Sequence, residues 1–456
     1  MNEKDTIVAI STPQGSGAMA IVRLSGSQAL AITSKLTKKS DFLPRYATLS
    51  SVFDETDTLI DEAIVIYFKA PHSYTREEVC EIQCHGGLIS AQMILQACLK
   101  AGARLANAGE FSKRAFLNGR LDFSQVSALA KLIEAKSQNA AKILVRQLKG
   151  ELGDFVEQTR HALLRLLAHS EVMIDYSEED IPINITESIL SELEATKERL
   201  RRVYEFSNMR QGTIEGYRLS IIGKPNVGKS SVLNAILLND RAIISPIAGT
   251  TRDTIEENIT IDGNTIRLID TAGIRGTQDP IESLGIEKSI QSAKQSDLIL
   301  AVFDVSRTLD EDDKEILNLL NSFPDKHCLI AYNKNDLPVA LDINAIEKCL
   351  KVPCQSVFIN AKDSKECAIT LKEIFSAVLK HDEVGEEILL TSAFQIQAVQ
   401  KALDSITEAI KVFGNLELEL FSYNITDALR AISSITHPYD ISEMFDTMFG
   451  EFCLGK

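Results

Sequence analysis

Residues Gly223-Lys224-Pro225-Asn226-Val227-Gly228-Lys229-Ser230 spell G-x-x-x-x-G-K-S, and no other stretch restricts the fold of this chain so tightly. The octet requires a strand before it and a helix after it. Leu219-Ser220-Ile221-Ile222 reads as the strand, and Ser231 to Leu238 as the helix. In that setting the glycines let backbone N–H groups turn inward around an oligophosphate, and the helix N-terminus adds positive potential. Lys229 would reach the β and γ phosphates and Ser230 would set its hydroxyl on Mg²⁺, with Asn226, Val227, Gly228 and Ser231 completing the cradle. A chance Gly-rich turn is not expected to carry both flanking elements.

Further strands follow at Ile266–Ile269, Leu298–Phe303, Cys328–Tyr332 and Val357–Ile359, apolar throughout but for Arg267. Such runs suit a parallel sheet covered on both faces. Asp262-Gly263 between two alternating runs predicts a hairpin and one antiparallel edge. Asp270-Thr271-Ala272-Gly273 ends a strand 40 residues after Ser230, where a carboxylate can hold Mg²⁺ through water and Gly273 can offer its N–H to the γ phosphate. Asn333-Lys334-Asn335-Asp336 ends another strand. There the Asp336 carboxylate can accept from guanine N1–H and N2–H together, and a buried carboxylate left unpaired by adenine rejects ATP. Asn360-Ala361-Lys362 would bring the Ala361 N–H to guanine O6, with Asn360 departing from the usual Ser. Gly249-Thr250-Thr251-Arg252-Asp253 reads as a switch loop whose threonine ligates Mg²⁺ while GTP is bound. Four ordered motifs on one α/β unit define a GTPase.

Two positions depart from the Ras-like pattern. Ile274 stands where a glutamine would orient the attacking water. Glu282 can take that task, Arg275 can instead act as an internal arginine finger, or Glu282 is a solvated acid. Asn226 is either a turn-former or a ligand for a monovalent cation that stands where an arginine finger stands elsewhere.

The remainder surrounds this unit. Residues 5 to about 118 mix short strands with a helix at Ile89–Ala101, an α+β texture. Residues 120–210 are helical, opened by a capping box at Asp122 and Gln125 that starts one long helix. Tyr176–Ile185 is a connector, and Met209-Arg210-Gln211-Gly212 ends the helical stretch. Helical texture returns after 380. The α/β unit is therefore expected as an insertion in a helical domain built from both flanks. The 456 residues suggest roughly three domains at about 150 each. No run of 18 apolar residues predicts a membrane span, and the first residues do not read as a signal peptide. A net charge of −16 excludes nucleic-acid binding over the whole surface but leaves room for a local basic groove. Of eight cysteines only Cys80 and Cys84, followed by His85, come near a metal-ligand spacing. Reduced thiols on a strand, in a cytoplasmic protein, are the plainer reading.

Beyond the central motifs the chain resembles the MnmE (TrmE) family of tRNA-modification GTPases over its whole length. The resemblance is carried by Asp5-Thr6-Ile7-Val8-Ala9, His85-Gly86-Gly87, Gly109-Glu110-Phe111-Ser112, Arg114-Ala115-Phe116-Leu117-Asn118, Gly249-Thr250-Thr251-Arg252-Asp253 and the tail Phe452-Cys453-Leu454-Gly455-Lys456. It implies an N-terminal tetrahydrofolate-binding and dimerisation domain (1–118), a helical domain in two parts (119–212 and 380–456) and an inserted G domain (216–379). It implies a homodimer working with the flavoprotein MnmG on the wobble uridine of certain tRNAs at carbon 5. A carboxymethylaminomethyl or aminomethyl group is added, with a one-carbon unit from 5-formyl- or methylenetetrahydrofolate. GTP hydrolysis is stimulated by K⁺ as two G domains meet. By the same resemblance Asn226, Ser245, Ile247 and Thr250 hold K⁺, Ser230 and Thr251 hold Mg²⁺, and Glu282 orients the water. Pro246, Ala248 and Gly249 lie on the same GTP-contacting loop. Arg23, Glu81, Arg120 and Lys456 line the pterin site. Ser245 replaces a frequent Thr, and Arg120 a common lysine, which keeps the charge and changes the geometry. The role of Cys453 stays open. A Ras-like regulatory switch and a ribosome-assembly GTPase are the rival classes. The missing glutamine argues against the first, and the acidic balance and the tail argue against the second.

Overall fold

The computed structural model describes residues 5–13, 15–175, 183–240, 257–269, 291–324, 326–380, 387–415 and 417–438. The chain divides into two compact units. One comprises Met1–Ile133, Arg146–Lys197 and Gln397–Lys456, and the other Glu134–Val145 and Glu198–Ile396.

In the first unit, strands β1 (Ile7–Ile10), β2 (Met19–Ser25), β3 (Thr48–Phe53), β4 (Leu59–Phe68), β5 (Val79–His85) and β6 (Arg104–Leu105) form a sheet in the order β3-β4-β5-β2-β1-β6. Every pairing is antiparallel except β1 with β6. Helices α1 (Ala29–Thr37) and α2 (Leu88–Lys100) pack against one face, where Val22, Leu24, Val65, Cys80, Ile82 and Cys84 are buried. Strand alternation turns the intervening residues, Arg23 and Glu81 among them, to the other face. Cys80 and Cys84 are thus core thiols, and burial raises Cys80 to about 11. His85 is exposed and pairs with Asp61 at 2.7 Å. Cys80 and Cys84 both lie on β5; among the described residues no group of three His, Cys, Asp or Glu is placed to hold a metal ion.

Helix α3 (Glu110–Leu117) begins after Gly109, whose φ of +64° is open to glycine. Its first residue is a buried carboxylate. Glu110 accepts from Arg104 Nη2 at 2.6 Å, Arg114 Nη2 at 3.0 Å and the Asn107 N–H at 2.8 Å. Arg114 also donates to Asp5 at 2.7 Å and Glu77 at 3.2 Å, and Arg104 to Asp5 at 2.7 Å. The Gly109–Arg114 motif is therefore a charged knot tying the chain's start to α3.

The single long helix expected from Asp122 is instead three: α4 (Phe123–Glu134), α5 (Gln138–Leu148) and α6 (Glu151–Asp175). The capping box is present in both directions, at 2.9 Å each way. The breaks come from Ser137, whose Oγ caps Ala140 N–H at 2.9 Å, and from Gly150, at φ +102°. Helix α7 (Ile183–Met209) ends where the sequence placed the stop, followed by one short turn, α8 (Gln211–Glu215).

In the second unit β7 (Tyr217–Ile222), β8 (Glu257–Ile261), β9 (Asn264–Leu268), β10 (Leu298–Asp304), β11 (His327–Asn333) and β12 (Cys354–Phe358) are ordered β12-β11-β10-β7-β9-β8. All pairings are parallel except the β8–β9 hairpin. Its turn residues Asp262 (φ +48°) and Gly263 (φ +77°) both take the left-handed conformation that a two-residue hairpin needs. Helices α9 (Lys229–Asp240) and α12 (Ser364–Lys380) share one apolar core with the sheet; α10 (Glu311–Asn321) and α11 (Ile343–Cys349) share the other. Helices α13 (Ala393–Gly414) and α14 (Leu418–Ser433) complete the described chain. Helix α14 packs along α6, with Ser170 and Ser422 hydroxyls 2.9 Å apart.

The knot around Glu110 predicts an acid-sensitive first unit. The hydrogen bond from Arg104 holds Asp5 low. Burial pushes Glu110 up, but Arg104, Asn107 and Arg114 outweigh it and hold it low as well. Groups depressed in the folded state stabilise above the unfolded carboxylate pKa of about 4, and the contribution is lost as pH falls through the lower folded value. Glu110→Gln is expected to destabilise by ~3 kcal/mol at neutral pH, because it leaves two arginines short of a partner. Denaturant unfolding followed by circular dichroism between about pH 5 and pH 3 should show a shallower loss for the variant; equal slopes would contradict this account.

Candidate nucleotide site and arginine cluster

Strand β7 delivers the chain to Gly223, whose φ is +154° and where a Cβ would lie 2.6 Å from the Val302 carbonyl oxygen. Asn226 takes φ +62° at the crest of the loop. Gly228 has φ +101°, and a Cβ there would meet Asn333 Nδ2 at 2.2 Å. Lys229 opens α9, and its Nζ donates to the carbonyls of Gly223 (2.7 Å) and Lys224 (2.9 Å). Val227, expected in the cradle, sends its side chain into the core and keeps its backbone on the loop.

Asn333 joins two motifs. Its Nδ2 donates to the Val227 carbonyl at 2.7 Å, and its Oδ1 accepts the Ala361 N–H at 3.0 Å. Lys334 pairs with the buried Asp304 at 2.6 Å. Burial raises the Asp304 carboxyl, but hydrogen bonds from Lys334 and Ser306 prevail and hold it low. Asn360 Oδ1 accepts the Lys362 N–H at 3.1 Å, so asparagine serves the turn where serine is usual. Asp336 is exposed and pairs with Lys362 at 2.9 Å. The Ala361 N–H donates to Asn333 Oδ1. The motifs line one cavity of about 380 Å³: Asn226 and residues 228–231 from the first, Asn333, Lys334 and 360–362 from the others.

Ser245, Pro246, Ile247, Ala248, Gly249, Thr250, Thr251, Asp270, Thr271, Ala272, Gly273, Arg275, Glu282, Cys453 and Lys456 lie outside the described residues.

In the first unit three of the four residues assigned to a pterin site gather on the face opposite α1 and α2. Arg23 and Glu81 are cross-strand partners, their side chains 2.9 Å apart and only 20% and 15% exposed. The Arg23 guanidinium lies 5.4 Å from the Tyr74 ring centroid and 5.7 Å from that of Phe111. Arg120 stacks on Tyr74 at 4.8 Å and donates to its carbonyl at 2.8 Å. An aromatic ring bearing two guanidinium groups beside a carboxylate suits a flat, hydrogen-bonding, anionic ligand.

Residues 6–120 match the family described as the GTP-binding protein TrmE N-terminus, and residues 123–453 match the MnmE helical domain. The tRNA modification GTPase MnmE of Sulfurovum sp. (strain NBC37-1) is 50% identical over 453 residues, 99% of each chain. This chain belongs to the MnmE family. The MnmE protein of Aliarcobacter butzleri (strain RM4018) is 49% identical over 456 residues, the whole of both chains. The FeoB G-domain from Methanococcus jannaschii aligns with 36% of this chain and 98% of its own at 24% identity and a TM-score of 0.26, too slight a likeness to bear on the fold.

Sequence reasoning missed Lys224, Asp304, Tyr74 and Phe111 as parts of these sites. Asp304 carried a signal, as a carboxylate ending a wholly apolar strand. Phe111 lay inside a quoted motif, whereas Tyr74 carried none.

The contact between Gly228 and Asn333 leaves no room for a methyl group. Gly228→Ala should weaken GDP binding at least about tenfold, or ~1.4 kcal/mol, measured by fluorescent-nucleotide titration. Unchanged affinity would show that the clamp yields.

Proposed function

We propose that this chain is a GTP hydrolase that acts in tRNA modification, as its MnmE relatives are named. The observation that carries the reading is the single cavity into which Asn333 draws the phosphate motif and the guanine motif together. Residues 216–379 serve as the G domain, 119–212 and 380–456 as the two parts of the helical domain, and 1–118 as the folate-binding and dimerisation domain.

Within the G domain, backbone N–H groups of 226–231 and the start of α9 receive the phosphates, and Lys229 exchanges its two carbonyl partners for phosphate oxygens. Ser230 and Thr251 would hold Mg²⁺, and Asn226, Ser245, Ile247 and Thr250 would hold K⁺. Bound there, the two cations neutralise charge that builds on the phosphates. Ser230 and Asn226 line the cavity, so these oxygen-bearing residues fit. Glu282 orients the attacking water. In the first unit Arg23, Glu81, Arg120 and Lys456 would hold a reduced folate, which supplies a one-carbon unit; the cluster around Tyr74 fits its flat ring and carboxylates.

The protein works as a homodimer in the cytoplasm with a flavoprotein of the MnmG type. It carries a group to carbon 5 of a tRNA wobble uridine, and hydrolysis is coupled to meeting of the G domains. No described helix is long and apolar enough to cross a membrane. With a net charge of −16, tRNA contact depends on a focused basic patch or on the partner's surface.

Glu282→Ala is expected to bind GTP almost normally and to hydrolyse it more than tenfold slower, a loss of at least ~1.4 kcal/mol in transition-state stabilisation. Full turnover would remove Glu282 from the mechanism. The unaltered protein should hydrolyse GTP faster in KCl than in NaCl; equal rates would favour a regulatory switch. Arg23→Ala should weaken 5-formyltetrahydrofolate binding at least about tenfold by calorimetry, ~1.4 kcal/mol, and leave GTP hydrolysis unchanged. Unaltered folate affinity would exclude the arginine cluster as that site.

A further inference from the structure

The second residue of the phosphate loop makes contacts that no phosphate-binding role explains. Lys224 is 8% exposed, although it sits beside a cavity built for anions. Its Nζ donates to Asp310 at 2.7 Å and to Asp313 at 2.6 Å. Those two carboxylates form the capping box of α10: Asp310 accepts the Asp313 N–H at 3.1 Å, and Asp313 accepts the Asp310 N–H at 3.3 Å. Burial disfavours the ammonium, but the hydrogen bonds to Asp310 and Asp313 outweigh it and keep Lys224 charged. Two carboxylates neutralise that charge, so Lys224 adds little field at the phosphates.

What Lys224 does instead is visible in the backbone. Its own carbonyl, with that of Gly223, holds Lys229 Nζ. Three residues on, the Val227 carbonyl is held by Asn333. The crest Pro225–Asn226, with Asn226 at φ +62°, is thus suspended between two pins. One pin is the Asn333 side chain, and the other is the Lys224 side chain anchored on α10. Without the second, the first half of the loop keeps only the Lys229 bonds to the Gly223 and Lys224 carbonyls, which Lys229 gives up when it turns to the phosphates.

We propose that Lys224 is a positioning residue for nucleotide binding: its bridge to Asp310 and Asp313 fixes the first half of the phosphate loop against the N-terminus of α10. A preorganised loop binds more tightly because less ordering remains to be done when the ligand arrives. The proposal rests on the nucleotide reading above, and its test separates the two.

The full-length protein, Lys224→Met, Lys224→Arg and Asp310→Asn are titrated with a fluorescent GDP at 20 °C, with binding stoichiometry and thermal midpoint recorded in parallel. Positioning predicts a Kd about tenfold weaker for Lys224→Met at full stoichiometry, and recovery to within about threefold for Lys224→Arg. Asp310→Asn is the milder arm, because asparagine still caps a helix. It removes one negative charge near the phosphates while loosening the anchor, Lys224 keeping Asp313 as partner. Positioning predicts weaker binding, about threefold; a direct electrostatic role for Lys224 predicts tighter binding. Unchanged or tighter binding by Asp310→Asn overturns the proposal. So does a Lys224→Met protein whose midpoint falls while its Kd stays within twofold of the parent. Should Lys224→Met fail to fold, the Asp310→Asn arm decides. Failure of the unaltered protein to bind GDP would overturn the nucleotide reading itself.

Discussion

The second unit depends on one side chain more than on any other. Asn333 ends β11, is buried, and spends both ends of its amide on backbone groups from different loops: the Val227 carbonyl and the Ala361 N–H. A buried amide with both ends satisfied is directional in a way that apolar packing is not, since rotating it breaks both bonds at once. The distance between the phosphate loop and the loop at 360–362 is therefore held by a rigid link rather than by the breathing of a sheet. Gly228 belongs to the same device, because its missing Cβ is what lets the amide approach. Glycine at that position serves two ends, a φ of +101° and a close contact, and alanine satisfies neither.

The two units use charge differently. Around Glu110 the first unit interlocks Asp5, Glu77, Arg104 and Arg114, with Glu110 almost wholly buried. Such a cluster adds little net stability over apolar packing, but removing one member strands the rest. It leaves Arg23 and Arg120 outside the knot, stacked on Tyr74, where their cationic faces are not absorbed by the Glu110 carboxylate. With Arg23 paired to Glu81, the two guanidiniums and one carboxylate leave a net positive charge on this face, which whole-chain arithmetic hides. In the second unit the same economy appears at Lys334, whose ammonium is given to buried Asp304 and so stiffens the loop that carries Asp336.

How much of this was legible beforehand depends on the range of the interaction. The phosphate loop, its flanking strand and helix, and the Asp262-Gly263 turn are local: each follows from glycine conformations and hydrophobic runs a few residues away. The capping box at Asp122 and Gln125 is equally local and equally visible. The breaks after it were not foreseen, because Val126, Leu129, Ile133, Ile143, Leu144 and Leu148 keep a near-helical period on both sides of residues 135–137. Only the Ser137 cap and the left-handed Gly150 interrupt it. Tyr74 gave no sign, since its importance comes from Arg23 and Arg120, 51 residues before it and 46 after it. Lys224 was hidden for the same reason: its partners are 86 and 89 residues away, and a lysine in a phosphate-binding motif invites the wrong explanation. The pairing of Asp336 with Lys362, 26 residues on, is of the same non-local kind.

The hairpin of β8 and β9 links these observations to the motifs that flank it in sequence. Gly249–Asp253 precede β8 and Asp270–Gly273 follow β9, so the two segments are tethered to the same open end of one short antiparallel pair, where Glu257 faces Leu268. A two-residue turn allows a single register, and a slip by one residue would reverse every side chain on β9. The tip is also held from outside. Asn139 donates through its N–H to the Gly263 carbonyl and through its side chain to the Asp262 carbonyl, both at 3.2 Å, while Ser376 of α12 bonds to the Asp262 carboxylate. Gly263 is needed there twice over, for its positive φ and because a Cβ would press on Asn139 at 3.3 Å. With register and tip both fixed, β8 and β9 give the flanking segments roots that do not shift.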